Sequence, residues 1–158
     1  MQGKVVIVTG ASSGIGRAAA LNFASSGATV VAVGRNEKEL SALAKSAGKD
    51  AGPIRPHLAD VMELSQLDRI VTETVHNHGR IDVLVNSAGI IKNGSIENTS
   101  LDDWDKMMHI NVRSVFHLMQ KAVPHLEETR GNIVNVSSVT GTRAFPNVLA
   151  YCVSKAAV

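Results

Sequence analysis

Val5-Val6-Ile7-Val8-Thr9-Gly10-Ala11-Ser12-Ser13-Gly14-Ile15-Gly16 decides how the chain folds, and residues 17–25 continue it in a helical pattern. Four consecutive β-branched aliphatic residues read as a strand buried on both faces. The glycines after it permit a tight turn and a close approach of backbone to a pyrophosphate, whose charge the first amides of the next helix can hold. A glycine-rich turn alone is weak evidence and is as often only a turn. Here a strand precedes it and a helix follows, which strengthens the reading. The spacing Gly-x3-Gly-x-Gly departs from the common Gly-x-Gly-x2-Gly dinucleotide fingerprint, and no Gly-Lys-Ser/Thr ending marks a P-loop.

Outward from this turn the pattern repeats. Residues 29–33, 81–85 and 133–136 read as further strands, and residues 54–58 as a weaker one because Pro53 and Pro56 flank it. Between them, Asn36 with Glu39 three later is a capping box, and Leu67, Ile70, Val71 and Val75 recur at helical spacing. Strand alternating with helix implies right-handed crossovers and one α/β domain over residues 1–158: a doubly wound parallel sheet of Rossmann type.

Composition agrees with a single soluble globular domain, since 44% of the 158 residues are hydrophobic and 19% charged. Sixteen basic residues against fourteen acidic ones leave +2, scattered along the chain, so no nucleic-acid-binding stripe is expected. The one cysteine, Cys152, cannot form an internal disulfide, and no apolar run approaches a membrane span. A cytoplasmic protein that binds neither membrane nor nucleic acid is expected. The six histidines form no ligand set, so no metal is expected either.

Residues 102–126 read as one long helix. Trp104, Met107, Met108, Val115, Leu118, Met119, Ala122 and Leu126 mark its apolar face, and Asn111 falls in the middle, where a polar amide needs partners. Val112 and Phe116 widen the stripe beyond what packing on a sheet requires. A second subunit would cover them; alternatively, Phe116 is a single exposed aromatic.

The glycine turn, taken with Asn86-Ser87-Ala88-Gly89, Asn111, Ser138 and Tyr151-x3-Lys155, resembles the short-chain dehydrogenase/reductase family. The resemblance covers the whole chain, and within the family it points to 3-oxoacyl-acyl-carrier-protein-reductase-like carbonyl reductases. It implies an oxidoreductase interconverting a carbonyl and a secondary alcohol with a nicotinamide cofactor. The cofactor would lie on Gly10, Ser12, Ser13, Gly14, Ile15 and Gly16, on Asn86, Ala88 and Gly89, and on Asp60 with Val61, Asp60 accepting from the adenine amine. Asp60 also has an ordinary reading as the N-cap of the following helix. Ser87 departs from the family's more frequent second asparagine.

The end of the second strand bears on cofactor choice, because an acidic residue there bonds the ribose 2′-hydroxyl of NAD. This chain has Gly34-Arg35 instead. Arg35 can pair with a 2′-phosphate through charge-assisted hydrogen bonds, so NADP(H) is expected ahead of NAD(H). Glu37 is the rival acidic group, although a carboxylate in a first helical turn already has a dipole reason to be there.

For the chemistry, the resemblance makes Tyr151 the proton donor or acceptor. A Lys155 ammonium about 5 Å away, at an effective dielectric of ~20, would favour the phenolate by ~3 kcal/mol. The resemblance also gives Lys155 the nicotinamide-ribose hydroxyls, has Ser138 orient the substrate oxygen, and has Asn111 hold a water in a relay through Lys155. Taken singly, each residue has an ordinary reading as helix surface, turn or core amide; their joint occurrence makes coincidence improbable. The nucleotide-sugar epimerase branch shares the Tyr-x3-Lys pair but not the spacing of Gly10, Gly14 and Gly16.

Family members continue past the Tyr/Lys helix into two further strands, another helix and a substrate-covering loop, and residues 1–158 contain none of these. Two readings therefore stand: an oxidoreductase acting on a small molecule, homo-oligomeric in its full-length form, or a truncated cofactor-binding fragment with little turnover and a poorly protected sheet edge.

Overall fold

In the computed structural model, which describes residues 1–158, five parallel strands lie in the order β3-β2-β1-β4-β5. The chain runs through β1 (Val5–Thr9), α1 (Gly14–Ser25), β2 (Thr29–Gly34), α2 (Glu37–Lys45), β3 (Ile54–Leu58), α3 (Leu64–His78) and β4 (Val83–Asn86). A long helical rod follows, made of α4 (Leu101–Met108), a π-helical turn His109–Arg113 and α5 (Ser114–Thr129). Then come β5 (Asn132–Asn135), a 3-10 turn Val139–Gly141 and α6 (Leu149–Ala156). The winding reverses beside β1, so the sheet is doubly wound as expected, and the crevice of such a sheet opens at the C-terminal ends of β1 and β4.

Central β1 shows why its sequence carries no polar alternation. Val6 and Val8 share a buried cluster with Ala20 and Ala24 of α1 and with Leu40 and Leu43 of α2. Ile7 points the other way, into a cluster with Leu67 and Ile70 of α3 and Leu118, Ala122 and Leu126 of α5. Each such Val, Ile or Leu side chain contributes roughly 1.5–3 kcal/mol on burial. Both faces of the sheet are therefore covered near β1. Coverage thins toward β5, the outermost strand on its side, where Val134 is 45% exposed. At the opposite edge, β3 tolerates Pro56 because an edge strand has one side free of the ladder.

The N-terminal end of the sheet is pinned by Asp82. Its Oδ2 accepts from Val5 N at 2.9 Å and Arg80 Nε at 2.8 Å, and its Oδ1 from Lys4 Nζ at 2.8 Å and Arg80 Nη2 at 2.7 Å. Burial by itself would raise the carboxyl's pKa. The Arg80, Lys4 and Val5 donors outweigh it and hold the group well below the usual carboxylate range.

One element differs in kind from the expectation. Residues 102–126 are not one α-helix: at the π-helical turn Ser114 N reaches back five residues to His109 O. The carbonyl of Ile110 would normally accept from that amide, and it takes the Ser114 hydroxyl instead at 2.6 Å. Asn111 sits inside this turn. Strand limits differ only at their ends, β4 running over 83–86 and β5 over 132–135. At α2, Asn36 Oδ1 accepts from Glu39 N at 3.2 Å, which supplies the expected cap.

Candidate active site

A groove of about 500 Å³ follows the C-terminal edge of the sheet. Gly10, Ser12, Ser13, Gly14 and Ile15 from the β1–α1 turn line it, together with Gly34 and Arg35 after β2 and Ala59, Asp60 and Val61 after β3. Ser87, Ala88 and Gly89 after β4 continue the wall, and Val136, Ser137, Tyr151 and Lys155 close the far end.

The turn is built by interlock with its neighbour. Gly10 has φ +67°, and a Cβ there would stand 2.9 Å from Ala88 N and Cα. Thr9 Oγ1 accepts from Ser87 N at 3.1 Å and Ala88 N at 3.2 Å, clasping the turn after β4 to the end of β1. Gly16 lies beneath the wall, where a Cβ would be 2.5 Å from Gly10 O, so its absence lets α1 start directly behind the turn. Ser13 at the N-cap of α1 makes no side-chain cap, which leaves the first amides of a twelve-residue helix without an intramolecular partner beside the groove. Those amides, with the open space at Gly14, fit a dinucleotide diphosphate.

At the outer end Arg35 Nη1 lies 3.6 Å from Asp60 Oδ2. Asp60 is not the N-cap of α3. That position is held by Glu63, without a side-chain cap, because Leu64 starts the helix too far along for Asp60 to reach it. Asp60 closes an Asx turn instead, its Oδ1 accepting from Met62 N at 3.0 Å, while its own amide donates to Gln66 Oε1 at 2.7 Å. Glu37 heads α2 outside the groove wall.

At the inner end α6 carries Tyr151 and Lys155 on one face, as their spacing requires. Lys155 is 8% exposed; its Nζ donates to Val136 O at 2.7 Å and lies 5.8 Å from the Tyr151 ring centroid. Burial pushes the Lys155 ammonium below its ordinary pKa. Ser137, lining the wall, donates its hydroxyl to Lys155 O at 2.7 Å. Ser138 stands beside that wall as the N-cap of the 3-10 turn, its Oγ accepting from Thr140 N at 3.2 Å.

Asn111 is 1% exposed and fully engaged: Oδ1 accepts from Ile90 N at 2.8 Å, and Nδ2 donates to Ile90 O at 2.9 Å and Ser154 Oγ at 3.0 Å. Ser154 Oγ in turn donates to Tyr151 O at 2.8 Å. Gly89 fits against this knot, since a Cβ there would lie 3.3 Å from Asn111 Oδ1 and 3.6 Å from Lys155 Nζ. Asn86 is also buried below the wall, its Nδ2 donating to Asn135 Oδ1 at 2.9 Å across β4 and β5. The groove thus gathers the expected residues on its wall except Gly16, Asn86, Asn111 and Ser138, which stand behind or beside it. Sequence reasoning missed Ser137 and Ser154; the one available signal was small polar residues next to the expected site residues.

The family model for short chain dehydrogenase matches residues 4–158. The chain is 41% identical to a 3-oxoacyl-[acyl-carrier-protein] reductase of Thermotoga maritima, over all of this chain and 65% of that protein. It is also 41% identical to a D-threitol dehydrogenase of Mycolicibacterium smegmatis, over 98% of this chain and 60% of that one. Among solved structures, a mutant of a Serratia marcescens short-chain dehydrogenase/reductase superposes with a TM-score of 0.93 at 35% identity, over 99% of this chain and 64% of that one. The chain therefore spans less than two thirds of the length of these relatives. Glycine turn, doubly wound sheet, Tyr/Lys helix and matched family agree: the chain belongs to the short-chain dehydrogenase/reductase family of oxidoreductases.

Proposed function

We propose that residues 1–158 form the cofactor-binding and catalytic unit of a cytoplasmic NADP(H)-dependent oxidoreductase that interconverts a carbonyl and a secondary alcohol, with Tyr151 as general acid/base. The observation that carries this reading is that a single groove has the uncapped start of α1 at its middle, Arg35 at one end and Tyr151 with Lys155 at the other. A bound nicotinamide supplies or accepts the hydride. The chain's own residues do the rest.

The amides leading α1 hold the diphosphate, and Val61 and Asp60 flank the adenine. Arg35, with Gly34 where NAD-selective proteins place a carboxylate, favours the 2′-phosphate of NADP(H). Ser138 accepts from Thr140 N, which leaves its hydroxyl proton free to point at the substrate oxygen. Tyr151 delivers the proton to that oxygen or removes it, and the buried Lys155 binds the ribose hydroxyls and favours the phenolate. Asn111, its side-chain amide committed to Ile90 and Ser154, holds a water of a proton relay through Lys155.

The outward face of α5 carries Phe116, 61% exposed, and Val123, 37% exposed, two turns apart, and this is the surface proposed for a homo-oligomer. A second reading is a unit that binds the cofactor without turning over substrate. Titration of NADPH and NADH fluorescence, followed by NADPH-dependent reduction of a small diketone, separates the two. Binding with turnover supports the enzyme, binding without turnover supports the second reading, and tighter binding of NADH than of NADPH contradicts the role given to Arg35.

A further inference from the structure

Arg35 and Asp60 face each other across the outer end of the groove, one from the turn after β2 and the other from the turn after β3, at 3.6 Å between Nη1 and Oδ2. Both also line a neighbouring hollow of about 400 Å³ to which His57 and Arg69 contribute. Those two other basic side chains are turned to a different partner. Arg69 Nη2 lies 2.9 Å from Glu73 Oε1 and His57 Nδ1 lies 3.6 Å from Glu73 Oε2; burial holds His57 below its ordinary pKa. Arg35 is thus the cation whose counter-ion stands inside the groove. Nor is that counter-ion free to swing away, because Oδ1 is held by Met62 N at 3.0 Å and the Asp60 amide by Gln66 Oε1 at 2.7 Å, which leaves Oδ2 toward the guanidinium.

We propose that Asp60 sets the degree of cofactor selectivity by acting through Arg35: its carboxylate competes with a ribose 2′-phosphate for the same guanidinium. The proposal rests on the NADP(H) reading above. A dinucleotide with a 2′-hydroxyl does not need Arg35 and leaves the pair intact, whereas one with a 2′-phosphate must draw the guanidinium off a fixed carboxylate. Asp60 therefore moderates the preference for the phosphorylated cofactor. An exposed pair of this kind is worth a factor of roughly 1.5 to 5 in binding and weakens as salt screens it.

Asp60→Asn removes the charge and keeps an Oδ1 acceptor for Met62 N. Dissociation constants for NADPH and NADH, read from their fluorescence, are compared for the wild type, Asp60→Asn, Arg35→Ala and the double variant at about 0.02 and 0.3 M salt. Any change in adenine binding moves both cofactors alike, so the readout is the ratio of the NADH to the NADPH constant. The expected result is a ratio about threefold higher in Asp60→Asn at low salt, smaller at high salt, and unchanged by the same substitution in the Arg35→Ala background. Equal shifts for both cofactors, a lower ratio, or an effect that persists without Arg35 overturns the proposal while leaving the NADP(H) reading in place. A wild type that binds NADH more tightly than NADPH overturns both.

Discussion

Asn111 Nδ2 donates to Ser154 Oγ at 3.0 Å, and through that bond the π-helical turn between α4 and α5 is fastened to the helix that carries Tyr151 and Lys155. The same amide holds both polar groups of the Ile90 backbone. One buried side chain therefore sets three segments around the inner end of the groove.

Asn111→Leu leaves the half-buried Ile90 amide and carbonyl and the buried Ser154 hydroxyl without that partner. The expected cost is about 3 kcal/mol, since each stranded group carries roughly 1–3 kcal/mol. Urea unfolding followed by circular dichroism reads it as a lower midpoint at unchanged slope. A midpoint equal to the wild type's would mean that the knot carries no weight.

Two glycines of one turn separate folding from binding. Gly10→Ala places a Cβ 2.9 Å from Ala88 backbone at φ +67°, so it is expected to cost more than about 2 kcal/mol of stability. Gly14→Ala, at φ +51°, meets nothing within 4 Å and projects into space beside α1, so about 1 kcal/mol of strain accompanies a larger loss of NADPH affinity. Equal stability losses in the two variants, by thermal unfolding, would contradict the interlock with Ala88.

The Asp82 staple gives a pH dependence of known sign. Its folded pKa lies below the unfolded one, so its stabilisation is complete above the usual carboxylate range and is lost as pH falls through that range toward the lower folded value. Asp82→Asn is expected to be about 2 kcal/mol less stable near pH 7, a buried-pair cost reduced because Lys4 and Arg80 are partly exposed. The gap should narrow below about pH 4. Urea midpoints taken from neutral to acid pH check this, and a gap that stays constant would rule out the ionised carboxylate as its source.

Much of the fold could be read from residue order, because its parts signal themselves locally: a β-branched run, a glycine turn, an apolar stripe, a capping asparagine. The π-helical turn could not, since one extra residue in a helical repeat leaves the hydrophobic pattern of residues 102–126 almost unaltered. It shows only in the Ser114 amide reaching His109 O, since a hydroxyl bond to the carbonyl four residues back, as from Ser114 to Ile110 O, also occurs at Thr74 in the regular helix α3. Likewise Ser137 and Ser154 look interchangeable with any small polar residue until packing brings them to Lys155 O and Asn111. At Asp60 the sequence leaves a helix cap open beside the adenine role, because capping residues and Asx-turn residues are the same types.

Lys155→Met tests the lysine apart from the fold. The ammonium is buried against its own solvation and burial lowers its pKa, so replacing it by an apolar chain of similar length should change stability by less than about 1 kcal/mol. Diketone reduction should fall at least about 10²-fold. A large drop in stability would instead make Lys155 primarily a structural strut for Val136 O.

The most direct measurement is the rate of NADPH-dependent diketone reduction by Tyr151→Phe against the wild type, each with cofactor binding checked by fluorescence. The account predicts a loss of about 10²–10⁴-fold with the NADPH dissociation constant within about twofold of the wild type's. A Tyr151→Phe protein that turns over as fast as the wild type would contradict it.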